Sequence, residues 1–532
     1  MLHLDPTPWH DVLRHTCACF PNEACGILLG PPPLGPNLHI TEAVLAPNVH
    51  QGDQTKRYEI GTQLLFDTQR GARARGLHVL AYFHSHPNRS AYFSPTDLAH
   101  AHAHSTHLVL SLQNGAFQHA KAFRVDETQA REISLSYPEK MQAPEISAKV
   151  AATALAVPHS RIREIADIAM AMDGVLRLYF GESNLPTPAF IKDAAQKALA
   201  DGFTYYTENA GLPSLRQAIA AKYAELHGVT IDPSREIVVT ASGVQALQLG
   251  IRCALDPGDE AIVLTPAWQN QISIPAMCNA AVRLAPLTLS EGRYHIDFDL
   301  LDSLLTPRTR LLIYTSPSNP TGWVATPADQ QALLVFARRH RLWLLADEVY
   351  ERLYYPDSAP LGTPAPSILR LATREDSVFV VQSFSKAYCM TGWRVGWIVA
   401  RADFADRATK LNEFIISSAP AFAQRAAETA LRDGEPAVRE MLALYKSNRD
   451  FSLEALRRRP DIQVPQPDGA GYLFPQVAGL QDSFEYCRRL LLETKLGLAP
   501  GIAFGPGGES AIRLCYAVER PILAQALSIL TT

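Results

Sequence analysis

From Ile237 onward, short and nearly continuous apolar runs alternate with long amphipathic segments, and this constrains the fold of the 532-residue chain more than any other feature. The runs Ile237–Thr240, Ala261–Thr265, Leu311–Thr315, Leu342–Ala346 and Val378–Val381 have the length and side chains of strands buried on both faces. Such strands, separated by helices, predict a mainly parallel sheet whose ligands lie beyond the strands' carboxyl ends. Each run ends in polar or small residues (TASG, TPAW, TSPSNPTG, ADEVY and QSFSK), so five polar tips are expected along one edge of the sheet.

The tips carry complementary chemistry. Lys386, in SFSKAYCMTGWRVG, is a candidate Schiff-base amine. Ser383, Ser385 and Arg394 surround it with two hydroxyls and a guanidinium suited to a phosphate. Ser242 and Gly243 precede a helix whose first amides suit the same anion. Asp347 can pair with a protonated pyridine nitrogen and keep the ring an electron sink. A lone lysine or strand-end aspartate is usually structural or solvated; five such tips together are not explained by folding alone.

On these motifs residues 146–532 resemble the fold-type I, pyridoxal-phosphate-dependent aminotransferases of the class I/II aspartate aminotransferase group. The resemblance implies a large domain with a mainly parallel sheet plus a small domain, and pyridoxal 5'-phosphate as cofactor. It implies that Lys386 links to the cofactor and moves the proton between substrate Cα and cofactor. Asp347 would pair with the pyridinium, Asn319 and Tyr350 would bond the phenolic oxygen, and Trp268 would stack on the ring. Ser242, Gly243, Val244, Ser383, Ser385 and Arg394 would hold the phosphate, with Tyr206 reaching the neighbouring subunit's phosphate in a homodimer. Arg513, in SAIRLCYA, would bind the substrate's α-carboxylate, with Gly181 nearby. Two positions depart from the family: Gly471 in GAGY replaces an aromatic wall, which would enlarge the pocket, and Ser183 replaces a proline after Glu182. No second arginine for a distal carboxylate stands out, so an apolar or sulfur-containing amino acid is at least as good an expectation as aspartate.

The first 135 residues are of another kind: 13 of the 17 histidines precede residue 120. A helix is expected from Trp9 to Phe20, strands at Ala24–Leu29, His39–Ala46, His78–Phe83, His107–Leu112 and Ala120–Val125, and helices at Gly61–Gly76 and Pro95–His104. This mixture predicts an α+β or α/β sandwich. His84 and His86, two apart at the end of a strand, project to one face, and Asp97 follows at a helix start. Two imidazoles and a carboxylate suit zinc with a fourth position left for water. Glu23, in PNEACGILLG, is a carboxylate that can take that water's proton, and Ser94 can donate to a developing oxyanion. The run Ser94-Pro95-Thr96-Asp97 is equally a helix-start signature. His100 and His104, one helical turn apart, read as a solvated helix face.

Glu23, HSHP at residues 84–87, Ser94 and Asp97 together resemble the JAMM (MPN+) metalloproteases. The resemblance implies Zn2+ held by His84, His86 and Asp97, with Glu23 as general acid/base and Ser94 at the oxyanion. It further implies hydrolysis of (iso)peptide bonds, on a ubiquitin-like or sulfur-carrier protein.

The expected organisation is therefore α/β throughout: a JAMM-type domain at 1–135, a linker and entry helix at 136–160, and the aminotransferase at 161–532. With 47% apolar and 19% charged residues the chain is not disordered. Its net charge of −4 divides as −1 before residue 141 (11 basic, 12 acidic) and −3 after, which argues against nucleic acid. No apolar run approaches the roughly 18 residues of a membrane span. No signal peptide is visible and the eight cysteines show no framework spacing, so a cytoplasmic protein is expected. The expected function is bifunctional: transamination between an amino acid and a 2-oxo acid, plus zinc-dependent hydrolysis. Two alternatives stay open. A carbon–sulfur lyase on the same scaffold would release ammonia and pyruvate from cysteine-like substrates, and a non-catalytic first domain would bind a carrier without hydrolysing it.

Overall fold

Period-two alternation along Cys25–Gly30 (β1) sets the architecture of the first unit. Ile27 and Leu29 pack toward Ala72 of the helix Thr62–Ala74, whereas Leu28 packs with Trp9, Val12 and Leu13 of the helix Pro6–Cys19. A sheet thus buries both faces against helices, as the sequence leads one to expect. The other strands are Glu42–Ala46 (β2), His78–Pro87 (β3), Thr106–Gln113 (β4), Ala116–Val125 (β5) and Ala130–Ile133 (β6), in the order β2-β1-β3-β4-β5-β6. Only β3 and β4 pair in parallel. At Gly26 a Cβ would lie 2.3 Å from the Phe83 ring and 2.5 Å from the Val44 carbonyl oxygen, so the strands approach this closely only with glycine there.

Three expectations for this unit change. The helix Pro6–Cys19 starts before Trp9, because Pro6 and Pro8 suit a first turn that needs no amide donors. The strand expected over His39–Ala46 is two: Leu38–Ile40 pairs in parallel with Leu2–Leu4, which pairs in turn with Leu135–Ser136, so the chain is still in this small sheet where the linker was expected to begin. The helix expected to reach His104 ends at His100; Ala101 is extended, and His104, at φ 65°, donates its amide to the Val125 carbonyl at 2.9 Å. His100 and His104 therefore share no helical face.

The computed structural model describes residues 1–33, 35–138, 150–155 and 157–531, and contacts divide the chain into Met1–Lys149 and Val150–Thr532. Much of the linker expected at 136–160 lies outside the described residues.

In the second unit Ile237–Thr240 (β7), Glu260–Thr265 (β8), Ala281–Pro286 (β9), Thr309–Thr315 (β10), Trp343–Asp347 (β11), Val378–Ser383 (β12) and Gly396–Ala400 (β13) form one sheet, ordered β7-β13-β12-β11-β10-β8-β9. β13 is antiparallel to both neighbours and every other adjacent pair is parallel. All five expected strands run one way, which brings their polar tips to one edge. Val239, Ile262, Leu312, Leu344 and Val380 face one core, and Val238, Val263, Ile313, Leu345 and Val381 the other. A smaller three-stranded sheet joins Tyr472–Leu473 and Ala499–Pro500 to Ile512–Cys515, with helices Glu435–Leu456, Ser483–Thr494 and Arg520–Thr531 in the same unit. Among the described residues no helix is long and apolar enough to cross a membrane.

Candidate functional sites

In the first unit, β1 and β3 pair with Cys25 opposite His84, which carries Glu23 past the end of β1 toward the two histidines. Ser85 fixes that approach: its hydroxyl accepts from the Ala24 amide at 2.8 Å, and its own amide donates to the Ala24 carbonyl at 3.0 Å. Asp97 enters from the helix Pro95–His100. The Nε2 atoms of His84 and His86 are 3.2 Å apart, and they lie 3.4 and 3.6 Å from the two carboxylate oxygens of Asp97. A tetrahedral ion with bonds of about 2.0–2.1 Å sets its ligand atoms about 3.3 Å apart, so these three groups fit zinc as they stand. The Nδ1 of His86 bonds the Ser90 carbonyl at 3.1 Å, which directs Nε2 toward His84 and Asp97. The Nδ1 of His84 is buried without a partner.

Burial alone would raise Asp97, but the bonds from His84 and His86 hold it well below the usual carboxylate range. Burial pushes Glu23 up to about 7, against the opposing pull of His86. The hydroxyl of Ser94 accepts from the Asp97 amide at 3.1 Å while Asp97 accepts from the Ser94 amide at 2.8 Å, a closed capping box. Tyr58, which the sequence did not single out, stacks on His84 with centroids 4.6 Å apart and planes 20° from parallel.

In the second unit the strand tips surround a cavity of about 580 Å³ lined by Gly181, Gly243, Val244, Trp268, Asn319, Asp347, Tyr350, Ser383, Ser385, Lys386, Arg394 and Arg513. All of these were expected from sequence. Ser242 sits just behind, at φ 103°, and caps the helix Gly243–Ala254 through Gln245. The Ser383 hydroxyl donates to that of Ser385 at 2.9 Å, and Arg394, in the left-handed region, bonds the Thr391 carbonyl at 2.5 Å. A Cβ on Gly243 would come 3.2 Å from Ser383 Cβ. Tyr206 is 88% exposed and lines nothing in its own chain's cavity.

Lys386 Nζ, within the cavity, donates to the Gly181 carbonyl at 2.6 Å. Asp347 is buried at the tip of β11; burial pushes it up to about 6, although Gln271 donates to it at 2.7 Å. Among the described residues it has no ion-pair partner, and the Oε1 of neighbouring Gln271 is buried unbonded. A carboxylate so placed favours a cationic ring nitrogen, and with the lysine and the anion-suited turn these residues fit pyridoxal phosphate. Arg513 lies between the rings of Tyr472 and Phe504, at 4.8 and 5.0 Å, and donates to Asn319 Oδ1 at 3.0 Å and to the Tyr179 carbonyl.

Two expectations about the pocket change. Gly471 does not line the cavity: a Cβ there would lie 2.9 Å from Ala517 Cβ, so the glycine accommodates the Ala517 methyl and enlarges nothing. The next residue, Tyr472, packs behind the lining, its hydroxyl 2.8 Å from that of Tyr350 and 3.1 Å from the Gly181 carbonyl. A further arginine does line the cavity: Arg163, from the helix Arg161–Met170, stands 5.4 Å over the Phe180 ring with no ion-pair partner among the described residues. Ser183 keeps the turn that a proline would have made, its hydroxyl accepting from Leu185.

Comparison with known proteins follows the same division. Residues 175–530 match the model of the aminotransferases class I and II, and residues 9–126 match that of the prokaryotic homologs of the JAB domain. An aspartate aminotransferase of Pyrococcus horikoshii is 33% identical over 384 residues, 71% of this chain and 95% of that one. Among solved structures, the aromatic aminotransferase of the same organism is 32% identical with a TM-score of 0.63, covering 69% of this chain and 97% of its own. A single mutant of the Thermus thermophilus aspartate aminotransferase is 31% identical with a TM-score of 0.67, covering 72% and 99%.

Proposed function

The chain belongs to the class I and II aminotransferases, and from that premise we propose that its second unit exchanges the amino group of a dicarboxylic amino acid with a 2-oxo acid, as a homodimer holding pyridoxal 5'-phosphate. The observation that carries this reading is the convergence of Lys386, buried Asp347 and Arg513 on one cavity. Bound there, the cofactor supplies an electron sink for the pair of electrons left when substrate Cα loses its proton. The residues of the chain do the rest. Arg513, oriented by Asn319 and Tyr179, clamps the α-carboxylate and so fixes which Cα bond faces Lys386. The amine of Lys386 would take the Cα proton and hand it to the cofactor carbon on the far side of the intervening nitrogen. Asp347 holds the ring nitrogen protonated, Asn319 and Tyr350 bond the ring oxygen, and Trp268 covers the ring. The helix start at Ser242, Gly243 and Val244, with Ser383, Ser385 and Arg394, holds the phosphate. Exposed Tyr206 supports a second subunit's contribution to the same group.

Arg163 supports the substrate class: a lone guanidinium at the cavity suits a distal carboxylate, and several relatives are named aspartate aminotransferases. Replacing Arg163 with methionine should raise KM for aspartate and glutamate at least tenfold and leave apolar donors unchanged. Equal effects on both classes would refute that assignment. Release of ammonia and pyruvate in place of amino transfer would establish the lyase alternative.

For the first unit the reading is zinc-dependent hydrolysis of a peptide or isopeptide bond, with a ubiquitin-like or sulfur-carrier protein as substrate and the cytoplasm as its compartment. Zinc on His84, His86 and Asp97 supplies a Lewis acid. Burial brings the Glu23 carboxyl to about 7, so near neutral pH its ionised form takes the proton of the attacking water and its protonated form delivers that proton to the leaving amine. Ser94 accepts a bond in its cap, which leaves its hydroxyl proton free for the oxyanion. The freed amino acid then becomes the donor for the second unit. Glu23→Gln should abolish turnover of carrier-linked substrate and spare transamination of the free amino acid; unchanged turnover of the linked substrate would refute the coupling. A carrier that binds without being cut would favour the binding-module reading.

A further inference from the structure

A second group of metal-ligating side chains lies in the first unit, on the small sheet rather than beside Glu23. His3 and His39 are register partners on adjacent parallel strands, Leu2–Leu4 and Leu38–Ile40, so their side chains stand side by side on one face. Their rings are 5.2 Å apart between centroids. Asp5 follows directly and reaches both: one carboxylate oxygen is 2.7 Å from His39 Nε2 and 3.6 Å from His3 Nε2. Nitrogen and oxygen ligands of a tetrahedral zinc stand about 3.3 Å apart, a spacing these distances bracket.

Two further observations set this cluster apart from an incidental surface ion pair. Asp5 occupies the N-cap of the helix Pro6–Cys19, where Pro6 and Pro8 offer no amides, and its side chain makes no capping bond. The carboxylate is turned to the histidines instead. His3 is meanwhile oriented by its other ring nitrogen: Nδ1 lies 3.2 Å from the Ser136 hydroxyl on the third strand of the sheet, leaving Nε2 directed at Asp5. A ring nitrogen held in this way is the usual support for a metal-bound imidazole. The backbone is pinned as well, by Leu2 N to Ser134 O at 2.8 Å, Leu38 N to Met1 O at 2.9 Å and Asp5 N to Ile40 O at 3.0 Å.

We propose that His3, Asp5 and His39 form a second, structural site for a divalent first-row metal ion, zinc above all, that clasps the strands Leu2–Leu4 and Leu38–Ile40 and the start of the helix Pro6–Cys19. Two imidazoles and a carboxylate form a borderline donor set suited to zinc, with water completing the tetrahedron. The side chains are roughly half exposed, so the ion exchanges with solvent and a chelator removes it. Because His39 lies far along the chain from His3 and Asp5 and meets them only through the pairing of their strands, the ion binds the folded state and raises its stability with concentration.

The test uses the full chain, stripped of metal and then titrated with Zn2+, with bound zinc counted by elemental analysis and thermal unfolding followed at each concentration. His39→Ala should lower the zinc bound by one equivalent per chain and abolish the micromolar zinc-dependent rise in unfolding temperature attributable to this site. His84→Ala should leave that increment in place, so failure of the site and failure of the hydrolase reading are separately visible. Asp5→Asn, which keeps the shape of the side chain, should weaken the same equivalent at least tenfold. An unchanged zinc count in His39→Ala would overturn the proposal. So would a variant that unfolds earlier by the same amount with and without zinc, since the three residues would then be only hydrogen-bonded neighbours.

Discussion

Glu348 follows Asp347 at the tip of β11 and is fully buried. One of its oxygens accepts from the Ile368 amide at 2.9 Å, and the other has no partner. Burial pushes its carboxyl up to about 7 from an ordinary 4.5. The folded state therefore keeps this proton over a range in which the unfolded chain has lost it, and the contribution to stability falls as pH rises from about 4.5 to about 7. At 1.36 kcal/mol per unit, the shift of two to three units amounts to about 3 kcal/mol lost above pH 7. Glu348→Gln keeps an acceptor for Ile368 and removes the titration. At pH 8 the variant should be more stable than the parent by up to about 3 kcal/mol, or roughly 4 °C for a unit of this size. At pH 4.5 the difference should vanish. Calorimetric unfolding of the cofactor-loaded protein at the two pH values checks this. An equal displacement at both would refute the reasoning, because a packing effect does not titrate; greater stabilisation at the lower pH would reverse its sign.

Lys386→Ala should lower transamination by at least three orders of magnitude while leaving far-ultraviolet circular dichroism unchanged, since the amine makes a single bond, to Gly181. Arg513→Lys retains the charge but not the fork between Asn319 and Tyr179, and should reduce kcat/KM by roughly 30- to 100-fold, measured at steady state. Gly396→Ala would place a Cβ 2.6 Å from the Gly243 amide and 2.7 Å from the Gln382 carbonyl, both backbone; it should lower cofactor affinity at least tenfold in a fluorescence titration. Tyr472→Phe leaves the Tyr350 hydroxyl without its buried neighbour, at a cost of about 1–3 kcal/mol, which unfolding and the pH profile of kcat should both register.

The sheet of the second unit was legible because strands buried on both faces are apolar without interruption, and because its tips carry chemistry that a loop has no structural reason to carry. β9 and β13 were not legible. β9 is a half-buried edge strand whose Arg283 breaks the apolar run to pair with Glu260, and β13 begins inside the SFSKAYCMTGWRVG motif, where its glycine reads as part of a turn. Of the site residues, those in local motifs were found, whereas Gln271, Arg163 and Tyr58 gain their roles only through tertiary packing. Gln271 alone left a signal, three residues past Trp268 and therefore near it on one helix face. The glycine at 471 misled because a missing side chain was taken for empty space, when Ala517 fills it. In the first unit strand periodicity puts His84 and His86 on one face, whereas only tertiary packing brings Asp97 to them, and the helix after Asp97 stops at His100 although three histidines continue its polar pattern.

The central claim is amino transfer from a dicarboxylic donor, and the most direct measurement is a half-reaction. The cofactor-loaded protein is mixed with single amino acids in the absence of any 2-oxo acid, and the cofactor's absorbance and the released products are followed. Aspartate or glutamate should convert the cofactor stoichiometrically from its aldehyde to its amine form, with one 2-oxo acid released per site and no ammonia. Ammonia without that conversion, or no change with any dicarboxylic amino acid, would contradict it.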